Sequence, residues 1–456
     1  MITMMTFAPA ALARRNPSLK YNPDSSFPIR VIPFACIVIA LVATAFGSAR
    51  ADDQTSWKFS FGPGKVPPGY TQVTPDSAYS DSTGFGFEPG STVTATDRGG
   101  SDPLTSGFVT SDKPFYFSVK LGQGNYNVTV TLGDLNDVSA TTVKAESRRL
   151  MLQHVTTDKG KTVTRTFTVN VRTPAIAGGG QVSLKDREKT TEWGDWDDKL
   201  ELEFNDTRPC LCTMQIDKVD CPTVFILGDS TVCDQPLEPW NSWGQMLPRF
   251  FKPGIAVSNQ AESGESTFSS LHARRFDKVF GDMKAGDYLM IQYGHNDQKE
   301  KPPASAMGSY KDDYEKKCIE PFKAKGGNVI VVTSMLREAD AKGGNSLGEY
   351  PEAARQAAAD ENVTLIDLNA MSRIFYAALG SNVHAAFALQ DHTHHNNYGS
   401  YELARCVVEG IRQSKLDLAK YIVDDVPVFD PSKPDPADTF VMPASVKTDT
   451  VKPEGN

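Results

Sequence analysis

Basic residues are in deficit in this chain of 456 residues: Lys and Arg number 47 against 56 Asp and Glu, a formal net charge of −9. Such a balance repels phosphate backbones and argues against a nucleic-acid partner. Long apolar runs are also lacking. The apolar stretch Val31–Phe46 is 16 residues, short of the ~20 that a membrane-spanning helix needs. Cysteine is sparse at 7 residues, too few for a disulfide-dense scaffold. Charged residues at 23% and hydrophobic ones at 39% are ordinary for a globular chain.

The N-terminus departs from this background. Arg14, Arg15, Lys20 and Arg30 precede the apolar run, and Ala49-Arg50-Ala51 follows it as a small-x-small cleavage site. Residues 1–51 are therefore expected to be a secretory signal, which predicts a secreted or periplasmic protein with no membrane anchor after cleavage. Their removal takes away five basic residues and one acidic residue, so the remaining chain carries −13 (−9 minus 4). Six cysteines remain: Cys210, Cys212, Cys221, Cys233, Cys318 and Cys406. They allow 15 pairings, among which the sequence does not choose. Cys210, Cys212 and Cys221 lack a neighbouring histidine and have the wrong spacing for zinc, so metal is set aside there.

Residues 52–206 read as all-β. Phe115, Phe117, Val119 and Leu121 alternate with polar residues, Gly122-Gln-Gly-Asn125 turns the chain, and Tyr126, Val128, Val130 and Leu132 alternate again. That pattern predicts a hairpin with one buried face. Phe167, Val169 and Val171, then Leu200, Leu202 and Phe204, repeat it, and the whole reads as a β-sandwich. Its aromatic opening (Trp57, Phe59, Phe61, Tyr70, Phe85, Phe87) could stack on sugar rings or simply form core. Trp193 and Trp196, set among carboxylates, are the pair expected to be exposed.

Residues 207–222, containing Pro and Cys, are expected to be a linker. From Thr223 to about residue 425, strands alternate with helical segments, the signature of an α/β parallel sheet. Strands are predicted at Val224–Leu227, Ile255–Val257, Tyr288–Ile291, Val329–Val332 and Val363–Ile366. Helices are predicted around Ser242–Phe251, Tyr310–Lys325, Pro351–Asp360 and Tyr398–Ser414. The Pro-rich stretch 426–456 lacks apolar periodicity and is expected to lie along the surface or to be disordered.

The first of these strands runs into Gly228-Asp229-Ser230-Thr231. A glycine-permitted turn there would deliver Ser230 at the carboxyl end of a sheet strand, where open α/β sheets bind ligands. Taken alone, Asp and Ser there read better as a helix cap. Three further clusters change the odds. Asn259-Gln-Ala-Glu-Ser-Gly264 offers a backbone N–H unobstructed by a side chain. Tyr293-Gly-His-Asn296-Asp297 offers a neutral amide donor suited to an oxyanion. Asp391-His-Thr-His394-His395 offers a carboxylate three residues from an imidazole, on one face of a helical turn. A His-rich tract can also be a divalent-metal site. Gly344-Asn-Ser346-Leu-Gly348 mimics a nucleophile elbow but follows a polar run rather than a strand, and is read as a loop.

These four clusters resemble the blocks of the SGNH (GDSL-type) hydrolases, and Gly-Asp-Ser-Thr-Val, Asn-x-Ala-x-x-Gly-x-Ser, Gly-His-Asn-Asp and Asp-x-Thr-His look like rhamnogalacturonan acetylesterases. The N-terminal region is similar to the galactose-binding-like module that accompanies some of them. The resemblance implies a three-layer α/β/α, flavodoxin-like catalytic domain at 223–425. It also implies Ser230 as nucleophile, His394 as base and Asp391 as its orienting partner. The oxyanion hole would be the Ser230 and Gly264 N–H groups with the Asn296 amide. The expected activity is hydrolysis of acetyl esters on pectic polysaccharide without metal or organic cofactor. The alternatives are an esterase or lipase for another acyl ester, or a carbohydrate-binding protein with an inactive hydrolase domain.

Overall fold

The computed structural model describes residues 54–454, so the expected signal at 1–51 lies outside the described residues. From Ser56 to Val219 the chain forms two facing sheets. Their strands are β1 (Ser56–Phe61), β2 (Thr71–Val73), β3 (Phe85–Phe87), β4 (Thr94–Asp97), β5 (Gly107–Thr110), β6 (Phe115–Lys120), β7 (Gly124–Leu132), β8 (Ser139–Ala145), β9 (Arg149–Thr157), β10 (Val163–Val171), β11 (Lys199–Arg208) and β12 (Cys210–Val219). One sheet runs β10-β7-β12-β1-β2, with β5 and β4 added beside β12; the other runs β3-β6-β11-β8-β9. Phe59, Phe61, Phe115, Phe117, Val128, Val130, Leu202 and Phe204 meet between them in one buried cluster. Each such side chain contributes roughly 1.5–3 kcal/mol through burial.

Two expectations fail here for the same reason. β6 and β7 do not pair as a hairpin: β6 bonds to β3 and β11, whereas β7 bonds to β10 and β12. Their inward faces are both apolar, so folding one sheet over the other buries both, which pairing them edge to edge would not do. The expected linker 207–222 is mostly β12, the strand that bonds to both β7 and β1 at the middle of its sheet. Cys210, Leu211, Cys212, Met214 and Ile216 in it are fully buried.

The second half is a five-stranded parallel sheet: β13 (Thr223–Gly228), β14 (Ala256–Asn259), β15 (Tyr288–Gln292), β16 (Asn328–Val332) and β17 (Thr364–Ile366), in the order β14-β13-β15-β16-β17. Side chains of each strand alternate between two helical layers. Val224 and Ile226 pack with Trp243 and the helices Leu368–Leu379 and Asn397–Gln413. Phe225 and Leu227 pack with the helices Arg275–Asp282 and Tyr350–Asp360 and with the irregular helical stretch 306–324. The order reverses at β13, and a flavodoxin-like sheet opens its ligand crevice at that reversal. Among the described residues no helix is long and apolar enough to cross a membrane.

Of the two expectations for the C-terminal stretch, the structure shows the first: it lies along the surface as a strap tied to both halves. Lys144 Nζ donates to the Pro443 carbonyl at 2.7 Å, Ser445 Oγ to Glu203 Oε2 at 2.6 Å, and Glu238 N–H to the Lys447 carbonyl at 2.9 Å. Its apolar anchors, the buried Phe429 and the half-buried Val426, Phe440 and Met442, are scattered singly among polar ones, a pattern with no period to read.

Candidate active site

β13 carries the first group. Gly228 is required by space rather than by backbone angle, because a Cβ there would lie 2.7 Å from Val232 Cγ2 and 2.8 Å from the Gln292 carbonyl oxygen. The turn after it is tied by Asp229, whose Oδ1 accepts the Thr231 N–H at 2.9 Å and the Thr231 hydroxyl at 2.7 Å. Asp229 Oδ2 lies 3.2 Å from His295 Nδ1. Burial pushes the Asp229 carboxyl up, but the charge and hydrogen bond of His295 outweigh it and hold it below the usual range. Ser230 is thereby fixed just beyond the carboxyl end of β13, 1% exposed.

The chain supplies the partner from 164 residues away. Ser230 Oγ lies 2.7 Å from His394 Nε2, and His394 Nδ1 lies 2.7 Å from Asp391 Oδ2. The three-residue spacing works through an Asx turn, not through a helix face as the sequence suggested. Asp391 Oδ1 accepts the backbone N–H of Thr393 at 2.7 Å and of His394 at 2.9 Å, which leaves Oδ2 for the ring. Burial of Asp391 raises its pKa, yet the hydrogen bond and charge of His394 with these two N–H groups prevail, and the carboxyl stays well below its ordinary range. An ionised Asp391 holds a proton on Nδ1 and leaves Nε2 free to accept one from Ser230.

The three expected donors each keep a hydrogen available. Among the described residues no hydrogen bond takes the backbone N–H of Ser230 or of Gly264. Gly264 has φ +74°, where L side chains are strained. Asn296 Nδ2 donates one hydrogen to the Glu265 carbonyl at 3.0 Å, which orients the amide and leaves its second hydrogen available. Asp297, the last residue of that motif, accepts the N–H groups of Thr267 and Gly294 at 3.0 and 2.9 Å and shapes the loop.

Sequence reasoning missed the contribution of the sandwich. Arg148 donates to the carbonyls of Gln235 and Trp240 at 3.0 and 2.9 Å, and Gln235 Nε2 donates to the Ser230 carbonyl at 2.6 Å. Lys185 Nζ donates to the Ser263 carbonyl at 2.6 Å, Arg187 Nε to Glu262 at 2.6 Å, and Arg275 to Glu188 at 2.6 Å in full burial. Lone basic residues without a period carry no sequence signal for such cross-links. Glu188, Glu192 and Glu262 converge closely enough for a cation, but Arg187 and Arg275 already supply the positive charge.

Other expected features resolve as structure. Trp196 is buried, with the Arg172 guanidinium 4.6 Å from its ring; the side chain of Trp193 lies outside the description. Phe59, Phe61 and Phe87 are core. His395 is buried, its Nε2 lies 2.6 Å from the Tyr376 hydroxyl, and its pKa is pushed down to about 3 by burial and by His394. Ser346 hydrogen-bonds Asp340 within a loop. The six described cysteines are free thiols.

A hydroxyl, an imidazole and a carboxylate in series at the reversal of a parallel sheet define a serine hydrolase of carboxylic esters. Residues 226–400 match the GDSL-like lipase/acylhydrolase family, and residues 57–176 match a galactose-binding-like domain of the β-agarase/YxiM esterase type. Over 219 residues the chain is 34% identical to the rhamnogalacturonan acetylesterase RhgT of Bacillus subtilis, covering 44% of this chain and 94% of that protein. It is 28% identical over 400 residues to the uncharacterized esterase YxiM of the same organism, covering 84% of this chain and 98% of the other. The crystal structure of YxiM superposes with a TM-score of 0.42 at 26% identity, over 79% of this chain and 99% of that one. The chain belongs to the GDSL-like lipase/acylhydrolase family.

Proposed function

We propose that this protein is a carbohydrate esterase that removes acetyl groups from rhamnogalacturonan by an acyl-enzyme mechanism. The continuous Ser230–His394–Asp391 relay, with both links at 2.7 Å, carries the reading. His394 Nε2 takes the Ser230 proton as Oγ adds to the acetyl carbonyl, and the oxyanion is met by the Ser230 and Gly264 N–H groups and the Asn296 amide. The sugar hydroxyl leaves with the proton from His394. Water, deprotonated by the same ring, then releases acetate and restores Ser230.

Two observations support a pectic substrate. Relatives named as a rhamnogalacturonan acetylesterase and a probable one align over 219 and 213 residues, 94% and 98% of their own lengths. Two cationic groups stand beside the Tyr293–Asp297 motif: Lys299 Nζ lies 3.5 Å from Asn296 Oδ1, and Arg337 donates to the His295 carbonyl at 3.2 Å. Cations there suit a polymer that bears uronate carboxylates. The arrangement of basic residues, apolar run and small-x-small site at 1–51 supports export, which the N-terminal sequence of protein recovered from its host would test.

Acetate release from acetylated rhamnogalacturonan, measured beside acetylated xylan and an aryl acetate, tests the substrate. The pectic polymer is expected to give the highest kcat/KM, and preference for xylan would replace the assignment. Ser230→Ala is expected to abolish release from all three while the fold is kept. Turnover at the parent rate would remove the nucleophile assignment.

A further inference from the structure

We propose that Glu338, His384 and His392 bind one divalent transition-metal ion of the zinc class, which clamps the loop bearing Asp391 and His394. The three come from separate places in the chain: the turn Glu338–Lys342 after β16, the turn Gly380–Ala386, and the loop itself. Their ligand atoms nevertheless all lie within 4.8 Å of one another. Glu338 Oε2 is 2.9 Å from His384 Nδ1 and 2.7 Å from His392 Nδ1. Two imidazole nitrogens and a carboxylate oxygen, with further positions open, form a donor set that zinc and its neighbours accept.

The contacts on both sides of the His384 ring call for added positive charge beside Glu338. His384 Nε2 lies 2.5 Å from the carbonyl oxygen of Leu389, a contact that requires the proton on Nε2. A neutral ring then turns its Nδ1 lone pair toward the Glu338 carboxylate, which repels it. Either a second proton or a cation between the two atoms resolves the conflict. A backbone carbonyl gripping the non-ligating nitrogen is also the usual outer support of a metal-bound histidine, because it fixes the tautomer. Leu389 is held at φ +50°, a costly conformation for a branched residue, in the segment that presents this carbonyl.

Seating an ion with ~2.0–2.2 Å bonds requires these contacts to open by only ~0.5 Å. Glu338 and His392 also line a cavity of about 830 Å³, so water can complete the coordination. Glu338 N–H donates to the His392 carbonyl at 2.9 Å, so the turn and the loop are already joined at the backbone. An ion would add a second tie two residues before the imidazole of the relay. None of its ligands belongs to that relay, so the inference stands apart from the esterase reading.

The test is titration of the metal-free full chain with Zn²⁺ by calorimetry and thermal melting, and with Co²⁺ by visible absorption. The parent is expected to take up one equivalent, to gain in Tm, and to show the d–d bands of low-symmetry cobalt. His392→Ala removes an exposed side chain and should leave the fold intact; it and His384→Ala are each expected to weaken binding at least about 10-fold. A parent that takes up no zinc overturns the proposal. So does a His384→Ala/His392→Ala double variant that binds as tightly as the parent, because the zinc would then sit elsewhere. A protonated His384 paired with Glu338 would give the first of these results.

Discussion

Lys185 Nζ donates to the carbonyl oxygen of Ser263 at 2.6 Å, and that carbonyl shares its peptide unit with the N–H of Gly264. A cation on the oxygen side of a peptide draws charge through the amide and makes the N–H a better donor. It also fixes the direction of that N–H. Lys185 reaches this peptide from the connection between β10 and β11, and its ammonium is further held by Glu265 at 3.0 Å. A sandwich residue thus fixes the peptide whose N–H the proposed mechanism turns on the oxyanion.

Lys185→Met should therefore lower kcat by roughly 10-fold while KM changes little, since the affected donor acts on charge that develops only in the transition state. The effect should be smaller than the ~10²–10³ expected for Asn296→Ala, which removes a donor outright. Steady-state kinetics on an aryl acetate, with circular dichroism to verify the fold, measures both. A change confined to KM would mean that Lys185 acts on substrate binding instead.

The two oxygens of Asp391 do different work, and Asp391→Asn separates them. Oδ1 accepts two backbone N–H groups, so the variant must keep its amide oxygen there and present its NH2 to His394 Nδ1. The ring then carries its proton on Nε2 and cannot take one from Ser230. A loss of about 10⁴ in kcat is expected with the loop geometry retained. A loss of less than 10-fold would show that the tautomer is set by another group.

The β13–β17 sheet was legible because each strand is a compact apolar run ending in turn chemistry, and because the site residues sit at those ends. Ser230, Asn296 and the Asp391–His394 pair follow strands or a final turn in chain order, so motif spacing was enough to find them. The sandwich was legible as alternation, but alternation does not name a partner: Phe117 and Val128 face the same core from opposite sheets. The cross-links Lys185–Ser263 and Arg148–Gln235 and the strap around Ser445 were not legible, because a single charged or hydroxyl side chain has no period.

Gly228 illustrates a correct identity with a different cause. The sequence suggested freedom of backbone angle, whereas the structure shows a crevice too tight for a methyl group against Val232 and the Gln292 backbone. The backbone oxygen cannot move without shifting β15. Gly228→Ala should therefore cost about 1–3 kcal/mol of stability, read as a lower denaturant midpoint, and should also reduce kcat by displacing Ser230. Unchanged stability with full activity would mean that the turn has slack there.

Acidification should expose two buried imidazoles. His295 is held below its ordinary value of 6.5 by burial, which outweighs Asp229, and His395 is pushed down to about 3 by burial and by His394, against the pull of Asp391. A depressed imidazole takes its proton more readily once unfolded, so the unfolded state binds more protons below pH 6.5. Its stabilising contribution is full above that pH and is lost as pH falls toward the folded value, by up to about 1.4 kcal/mol per unit per group. The depressed carboxyls of Asp229 and Asp391 act only below their ordinary value of 3.8. Asp297 and Glu262, raised to about 7 by burial, work in the opposite sense across the same window. The decisive quantity is therefore the difference between parent and His395→Gln in the slope of unfolding free energy from pH 6.5 to 4.5. The variant should lose stability less steeply on acidification than the parent; parallel slopes would mean that His395 is protonated in the fold.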